Sequence, residues 1–168
     1  MTANAIRIGL ISDTHGLLRP QALAALKGSD RIVHAGDIGA PGILDRLAEI
    51  APVTAVRGNN DHDPHYGDLP ETSVLQVGGI VIHVLHRLAD FKPDATYRVV
   101  VSGHSHRASS LVRDGVLHVN PGSAGLRRFS LPVTVGWLTI DDGEVRAGLI
   151  ELDIQSSSCV RSVLTRPR

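Results

Sequence analysis

Ile6-Arg-Ile-Gly-Leu-Ile-Ser-Asp-Thr-His-Gly16 is a short apolar run that stops abruptly on a polar pair, Asp13 and His15. The run is too short for a stable helix and rich in β-branched residues, so it reads as a buried strand. The same arrangement recurs. Arg31-Ile-Val-His-Ala35 leads into Gly36-Asp37-Ile38-Gly39, and Val53-Thr-Ala-Val-Arg57 leads into Gly58-Asn59-Asn60-Asp61. Between these strands lie two helical stretches. Pro20–Lys27 opens with proline in a first-turn position, and Ile43–Ile50 sets Ile43, Leu44, Leu47 and Ile50 on one face. Strand, helix, strand, helix, strand is the pattern of βαβ units and a mostly parallel sheet.

Outward from this half the pattern changes. Thr72–Val77 and Ile80–Leu85 flank Gly78-Gly79, a hairpin signal, because glycine supplies the positive φ of a tight turn. Tyr97–Ser102 reads as a further buried strand. Asp114-Gly115 and Asp141-Asp-Gly-Glu144 mark two more hairpins, Ser109–Arg113 with Val116–Val119 and Val133–Ile140 with Val145–Leu152. An α/β domain is expected, with a parallel-rich first half and an antiparallel-rich second half. Residues 1–154 form that domain, and the serine- and arginine-rich tail, 155–168, is expected to fray or pack loosely outside the core.

Composition narrows the function. The 168 residues carry 17 Lys+Arg against 17 Asp+Glu, and 3% are aromatic. No net positive field draws a polyanion, and few rings offer stacking platforms, so nucleic acid is not the favoured partner. One cysteine cannot close an intramolecular disulfide, which makes a reducing, cytoplasmic setting the default. No apolar run approaches the ~20 residues of a membrane span, and the first residues lack the pattern of a signal peptide. Nine histidines stand out.

Several of those histidines fall where chemistry is expected. Strand-end segments hold Asp13, His15, Asp37, Asn59, His86, His104 and His106. In an open α/β sheet the C-terminal strand ends share one edge, where ligand sites form. Two carboxylates, an amide oxygen and four imidazoles are too many ligands for one divalent ion and suit two, the pair arrangement used for in-line hydrolysis of phosphate esters. Oxygen and nitrogen donors without thiolate point to manganese, iron, zinc or cobalt. Asp13-x-His15 and His104-x-His106 are expected to reach the site because alternate residues of an extended segment share a side.

Asp13-x-His15, Gly36-Asp37, Gly58-Asn59-x-Asp61, His86 and Gly103-His104-x-His106 together resemble the signature blocks of calcineurin-like metallophosphoesterases. The short chain and Asn120-Pro-Gly-Ser123 resemble their small YfcE-type phosphodiesterase branch. The resemblance covers about residues 6–152. It implies a single-domain, four-layer αββα sandwich with one ion on Asp13, His15 and His106, another on Asn59, His86 and His104, and Asp37 bridging. A metal-bound hydroxide would then attack phosphorus in line. Manganese is the expected metal, with iron, zinc, nickel, cobalt and magnesium as alternatives. The candidate catalytic residues are Asp37, Asn60, Asp61 and His104. Asn60, Arg87, Arg127 and Arg128 are the candidate substrate contacts.

One departure matters. Many members of that superfamily carry a histidine after the ligand asparagine as proton donor to the leaving group; this chain has Asn60, and an amide supplies no proton at neutral pH. Either diesters and good leaving groups are favoured, or His62 or His65 takes over. Arg87, where many relatives have glycine or aspartate, reaches a substrate phosphate or lies on the surface; the same two readings hold for Arg127-Arg128. His34 and His83 are assigned to packing, and His118 to structure or the rim. The leading function is a phosphodiesterase acting on a small phosphorylated substrate, with a homo-oligomer left open. The alternatives are a nuclease of the same chemistry and a catalytically weak scaffold, as in the retromer scaffold subunit of eukaryotic vesicle sorting, which has lost part of its metal set.

Overall fold

In the computed structural model, which describes residues 5–155 and 160–163, the chain runs in order through β1 (Ile6–Ile11), α1 (Pro20–Leu26), β2 (Arg31–His34), α2 (Ile43–Ala48), β3 (Val53–Ala55), β4 (Thr72–Val77), β5 (Ile80–Leu85), β6 (Val99–Val101), β7 (Ser109–Arg113), β8 (Val116–Asn120), β9 (Thr134–Asp141), β10 (Glu144–Leu152) and β11 (Val160–Val163). Single 3₁₀ turns lie at Pro64–Tyr66 and Leu88–Asp90. The strands form two sheets, β11-β10-β9-β1-β2-β3 and β4-β5-β6-β8-β7.

Alternation along each strand explains the layering. On β1, Ile8 and Leu10 face the second sheet, and with Val33, Ile82, Val84, Val99, Val101 and Leu138 they build the core between the sheets. Ile11, Ile32, Val135 and Ile150 face the other way, beneath α1 and α2, where Ala22, Leu26, Ile43 and Leu47 cover them. This period-2 division of apolar residues between two faces is what sandwiches a sheet on both sides. Over the outer face of the second sheet the α layer is reduced to the 86–98 connection, whose Phe91 and Tyr97 pack with His83 and His118. His83 stacks on Tyr97 with centroids 4.7 Å apart, in the packing role expected of it.

The halves are less separate than their turn signals suggest. β5 pairs with β6, and β6 with β8, in parallel, while the β9–β10 hairpin joins the first sheet by pairing β9 antiparallel to β1. Hairpin signals report local pairing only; which sheet a hairpin joins is settled by burial on both its faces. Residues 160–163, within the stretch expected to fray, pair antiparallel with β10. Among the described residues no helix is long and apolar enough to cross a membrane.

Candidate metal centre

Five segments leave the strand ends on one rim, and main-chain hydrogen bonds continue the parallel pairing past the strands. Asp13 N donates to Gly36 O, His15 N to Asp37 O and Gly16 N to Ile38 O, at 2.8–3.0 Å. Gly103 N donates to His86 O at 3.0 Å, tying the β5 and β6 ends together. Along this rim Asp13, His15, Asp37, His104 and His106 all take positive φ, from 45 to 68°. Outside glycine this region costs roughly 1 kcal/mol or more per residue, so the surrounding hydrogen bonds must hold it. Asp13 and His15 therefore meet through two left-handed turns, not through the extended geometry expected of them. His104 and His106 likewise diverge, His106 toward Asp13 and His104 toward His86.

The side chains converge in two overlapping groups. Asp13 Oδ1 lies 3.2 Å from His106 Nε2 and 3.8 Å from His15 Nε2, and the two imidazole nitrogens are 3.3 Å apart. Asp37 Oδ2 lies 3.3 Å from His86 Nε2 and 3.7 Å from His15 Nε2, so it stands between the groups. Asn59 Oδ1 is 3.1 Å from His86 Nε2, and the His104 ring packs edge-on against His86 at 5.2 Å. All seven expected residues are thus on one rim, with Asp13, Asp37, His86 and His106 buried and His104 exposed.

The donor chemistry fits divalent cations. His86 Nδ1 lies 2.7 Å from the carbonyl of Ala35, to which it can only donate. In neutral His86 the Nε2 lone pair then faces two oxygens, Asp37 Oδ2 and Asn59 Oδ1, an arrangement that needs a proton or a cation between them. Asp13 Oδ1 is buried with no hydrogen-bond donor. Neither Asp13 nor Asp37 is ion-paired to lysine or arginine among the described residues, and two unpaired buried carboxylates are costly without a positive charge. Electrostatics agree. Burial favours a neutral Asp37, yet hydrogen bonds from His86 and from the main and side chains of Asn60 outweigh it and hold the carboxyl far below its usual range. Burial pushes His86 down too, but the bonds to Asp37 and Ala35 lift it above its ordinary value. His15 goes down, burial outweighing the attraction of Asp37 and Asp13.

Two of the candidate catalytic residues make contacts that shape the centre. Both oxygens of Asp61 are taken by main-chain donors: Ile38 N at 2.8 Å and Gly39 N at 3.1 Å on Oδ1, and Gly58 N at 2.9 Å on Oδ2. Asp61 thereby clamps the segment carrying Asp37 to the one carrying Asn59. Asn60 donates its main-chain N–H to Asp37 Oδ1 at 2.9 Å and its side-chain amide to Oδ2 at 2.7 Å, so it orients Asp37. The arginines separate. Arg87 lines two depressions, one shared with Asn59 and His86 and one with His104 and Ser105, and lies 3.8 Å from Asp90. Arg128 is close enough to depress the His15 pKa, whereas Arg127 lines a groove with Pro132, Leu152 and Ile154 away from the rim. His62 borders a depression shared with Asn59; His65 packs edge-on against Tyr66.

Other supporting residues carried no clear sequence signal. Ser12 Oγ sits 2.7 Å from Asp13 Oδ2 and 2.8 Å from Gly122 O. Asn120 Nδ2 donates to Gly103 O and Ser105 Oγ, at 2.7 and 3.1 Å, while its Oδ1 accepts from Gly122 N. The Asn120-Pro-Gly-Ser123 block carries the family resemblance, and its asparagine braces the His104–His106 segment.

Comparison with known proteins places this geometry. Residues 6–143 match the calcineurin-like phosphoesterase superfamily domain. The chain belongs to that superfamily. It is 31% identical over 159 residues to a probable metallophosphoesterase of Methanothermobacter thermautotrophicus, covering 85% of this chain and 91% of that protein. The fold is similar to vacuolar protein sorting 29 from Cryptosporidium parvum, with TM-score 0.76, 18% identity and coverage of 96% and 99% of the two chains. It is also similar to YfcE, a phosphoesterase from E. coli, with TM-score 0.65, 23% identity and coverage of 88% and 100%. This is a phosphoesterase family of divalent-metal proteins, in keeping with the sandwich and the oxygen–nitrogen donor set.

Proposed function

We propose that the chain is a binuclear-metal phosphodiesterase acting on a small phosphorylated substrate in the cytoplasm, with residues 1–154 as the catalytic unit. Asp13, His15 and His106 would hold one ion, Asn59, His86 and His104 the other, and Asp37 would serve both. Manganese is the preferred metal. Bound there, two divalent ions would supply Lewis acidity toward the phosphoryl oxygens and an acidified water for in-line attack. The chain's own residues do the rest. Asp61 fixes the two loops, Asn60 aims Asp37, and Arg87 and Arg128 stand where they can pair with phosphate oxygens.

The observation that carries this reading is the position of Asp37 Oδ2, 3.3 Å from His86 Nε2 and 3.7 Å from His15 Nε2, which gives one carboxylate to both groups. Preference for diesters is supported by the amide at position 60, which donates no proton to a leaving group, and by depressions on both sides of Arg87 that leave room for two ester arms. Vacuolar protein sorting 29 shares the fold; a catalytic reading is supported over a scaffold by metal-competent residues at all seven ligand positions, five of them held at positive φ.

Manganese-loaded protein should contain two ions per chain and hydrolyse bis-p-nitrophenyl phosphate faster than p-nitrophenyl phosphate. Asp37→Asn should lose metal and turnover together. Retained turnover in that variant overturns the two-ion reading.

A further inference from the structure

A groove of about 290 Å³ starts at His104 and Ser105 on the rim and crosses the outer face of the second sheet to Arg113. Its length follows from β7: Ser109 and Arg113 are four residues apart, roughly 13 Å at the ordinary strand rise. Leu111, 36% exposed, lines the apolar stretch. His118, on the opposite strand, brings a ring nitrogen, Nδ1, that is buried and has no hydrogen-bond partner. Arg113 forms no salt bridge among the described residues, and its charge is felt at His118. Hydroxyls near the rim, an apolar wall and an unpaired guanidinium at the far end thus follow one another along a single path. A second depression, of about 280 Å³, lies across Arg87 and is bordered by Asn59 and His86.

We propose that the groove ending at Arg113 is a subsite for one arm of the diester: a nucleoside-sized group bearing a second phosphate, which Arg113 receives. The assignment rests on the phosphodiesterase reading above. The scissile phosphate sits at the rim, the leaving arm lies across Arg87, and the retained arm follows β7. Water adds to phosphorus and the bond to the leaving oxygen breaks, so the retained product carries two phosphate monoesters. Guanidinium matches phosphate in charge and geometry, which is why a terminal phosphate is favoured over a neutral end.

Three p-nitrophenyl esters test this on the manganese-loaded full chain: bis-p-nitrophenyl phosphate, thymidine 5′-(p-nitrophenyl phosphate), and the same nucleotide with a 3′-phosphate. The 3′-phosphate should raise kcat/KM about tenfold, mainly through KM, as one charge-assisted contact does. Arg113→Gln should bring the ratio of the two nucleotide esters to about one, and Leu111→Trp, which narrows the groove, should lower it too. Arg146→Gln, removing an exposed arginine of the other sheet paired with Glu144, should leave the ratio intact. An equal kcat/KM with and without the 3′-phosphate, a ratio that survives Arg113→Gln, or an equal loss in Arg146→Gln overturns the assignment. Turnover of bis-p-nitrophenyl phosphate separates the two levels. If it occurs without the 3′-phosphate gain, only the groove assignment fails; if no ester is turned over, the phosphodiesterase reading beneath it fails.

Discussion

Replacing Asp61 by asparagine keeps the shape of the side chain and removes one acceptor from a buried clamp. Asp61 is 2% exposed, and its carboxylate accepts from Ile38 N, Gly39 N and Gly58 N. In its better orientation the amide oxygen keeps the two bonds at Oδ1, and the NH₂ turns toward the Gly58 N–H, donor against donor. A hydrogen bond to a charged group is worth about 1.5–3 kcal/mol, and a buried donor left without an acceptor adds to the loss. The total is about 2–4 kcal/mol, or roughly 5–15 °C in Tm for a domain of this size. The clamp also sets the distance between the segments bearing Asp37 and Asn59, and a displacement of about 1 Å at a reacting centre costs on the order of a hundredfold in rate. Thermal melts should be run on metal-free protein, beside metal titration and kcat on bis-p-nitrophenyl phosphate. Asp61→Asn should melt lower without metal, bind metal more weakly and turn over more slowly. A metal-free Tm equal to that of the parent, with kcat lost, would refute the clamp and return Asp61 to the reaction itself.

Three further outcomes follow from the geometry. Gly103 has an ordinary φ, but a Cβ there would lie 2.8 Å from Asp13 Oδ2 and 3.0 Å from Ala35 O; Gly103→Ala should cost about 1–3 kcal/mol of stability and weaken metal binding, and unchanged metal affinity would contradict the packing around Asp13. His34 is a neutral group by design of its surroundings: Thr14 Oγ1 donates to Ile38 O and so accepts from His34 Nε2, while His34 Nδ1 accepts from Gly36 N, and burial lowers its pKa to about 4. The unfolded chain then takes up this proton first, so stability should be full above pH ~6.5 and fall by up to ~3 kcal/mol as pH drops toward 4; denaturant unfolding of metal-free parent and His34→Gln should show a flatter pH dependence in the variant, and parallel curves would count against it. His62→Ala and His65→Ala, both exposed, should each leave kcat on a methyl-p-nitrophenyl diester unchanged when nitrophenolate departs; a loss restricted to alkyl leaving groups would identify that histidine as the proton donor.

Most of the fold was legible because its signals are local. Pro20 in the first turn of α1, Gly78-Gly79 between β4 and β5 and Asp114-Gly115 between β7 and β8 stand where the chain turns or a helix begins. Assigning hairpins to sheets was not legible, since β9 lies beside β1 through contacts more than 120 residues apart, as in Ile8↔Leu138. The convergence of the seven candidate residues on one rim was legible for a related reason: a strand end fixes where a residue stands without fixing which way it points. Asp13 and His15 meet, though their φ of 53 and 45° excludes the extended segment from which the meeting was expected.

What the sequence leaves open is direction. Asn59, Asn60 and Asp61 are consecutive polar residues of similar chemistry, and nothing in the tripeptide says which oxygen faces the rim. Their roles are divided by the neighbours. Asn59 Oδ1 meets His86, Asn60 donates to Asp37, and Asp61 is consumed by the amides of Ile38, Gly39 and Gly58. A Cβ on Gly58 would collide with Asp37 Oδ1, so this segment can approach Asp37 closely enough for Asn60 to grip it only because glycine stands there. The missing histidine at position 60 therefore does more than remove a proton donor. An amide there can hand both of its neighbouring donors, main chain and side chain, to one carboxylate, and that carboxylate is the one shared by both halves of the centre. Asn60 therefore serves the placement of Asp37 with both of its donors, the main-chain N–H on Oδ1 and the side-chain amide on Oδ2, and position 60 bears on the geometry of the centre as well as on proton supply.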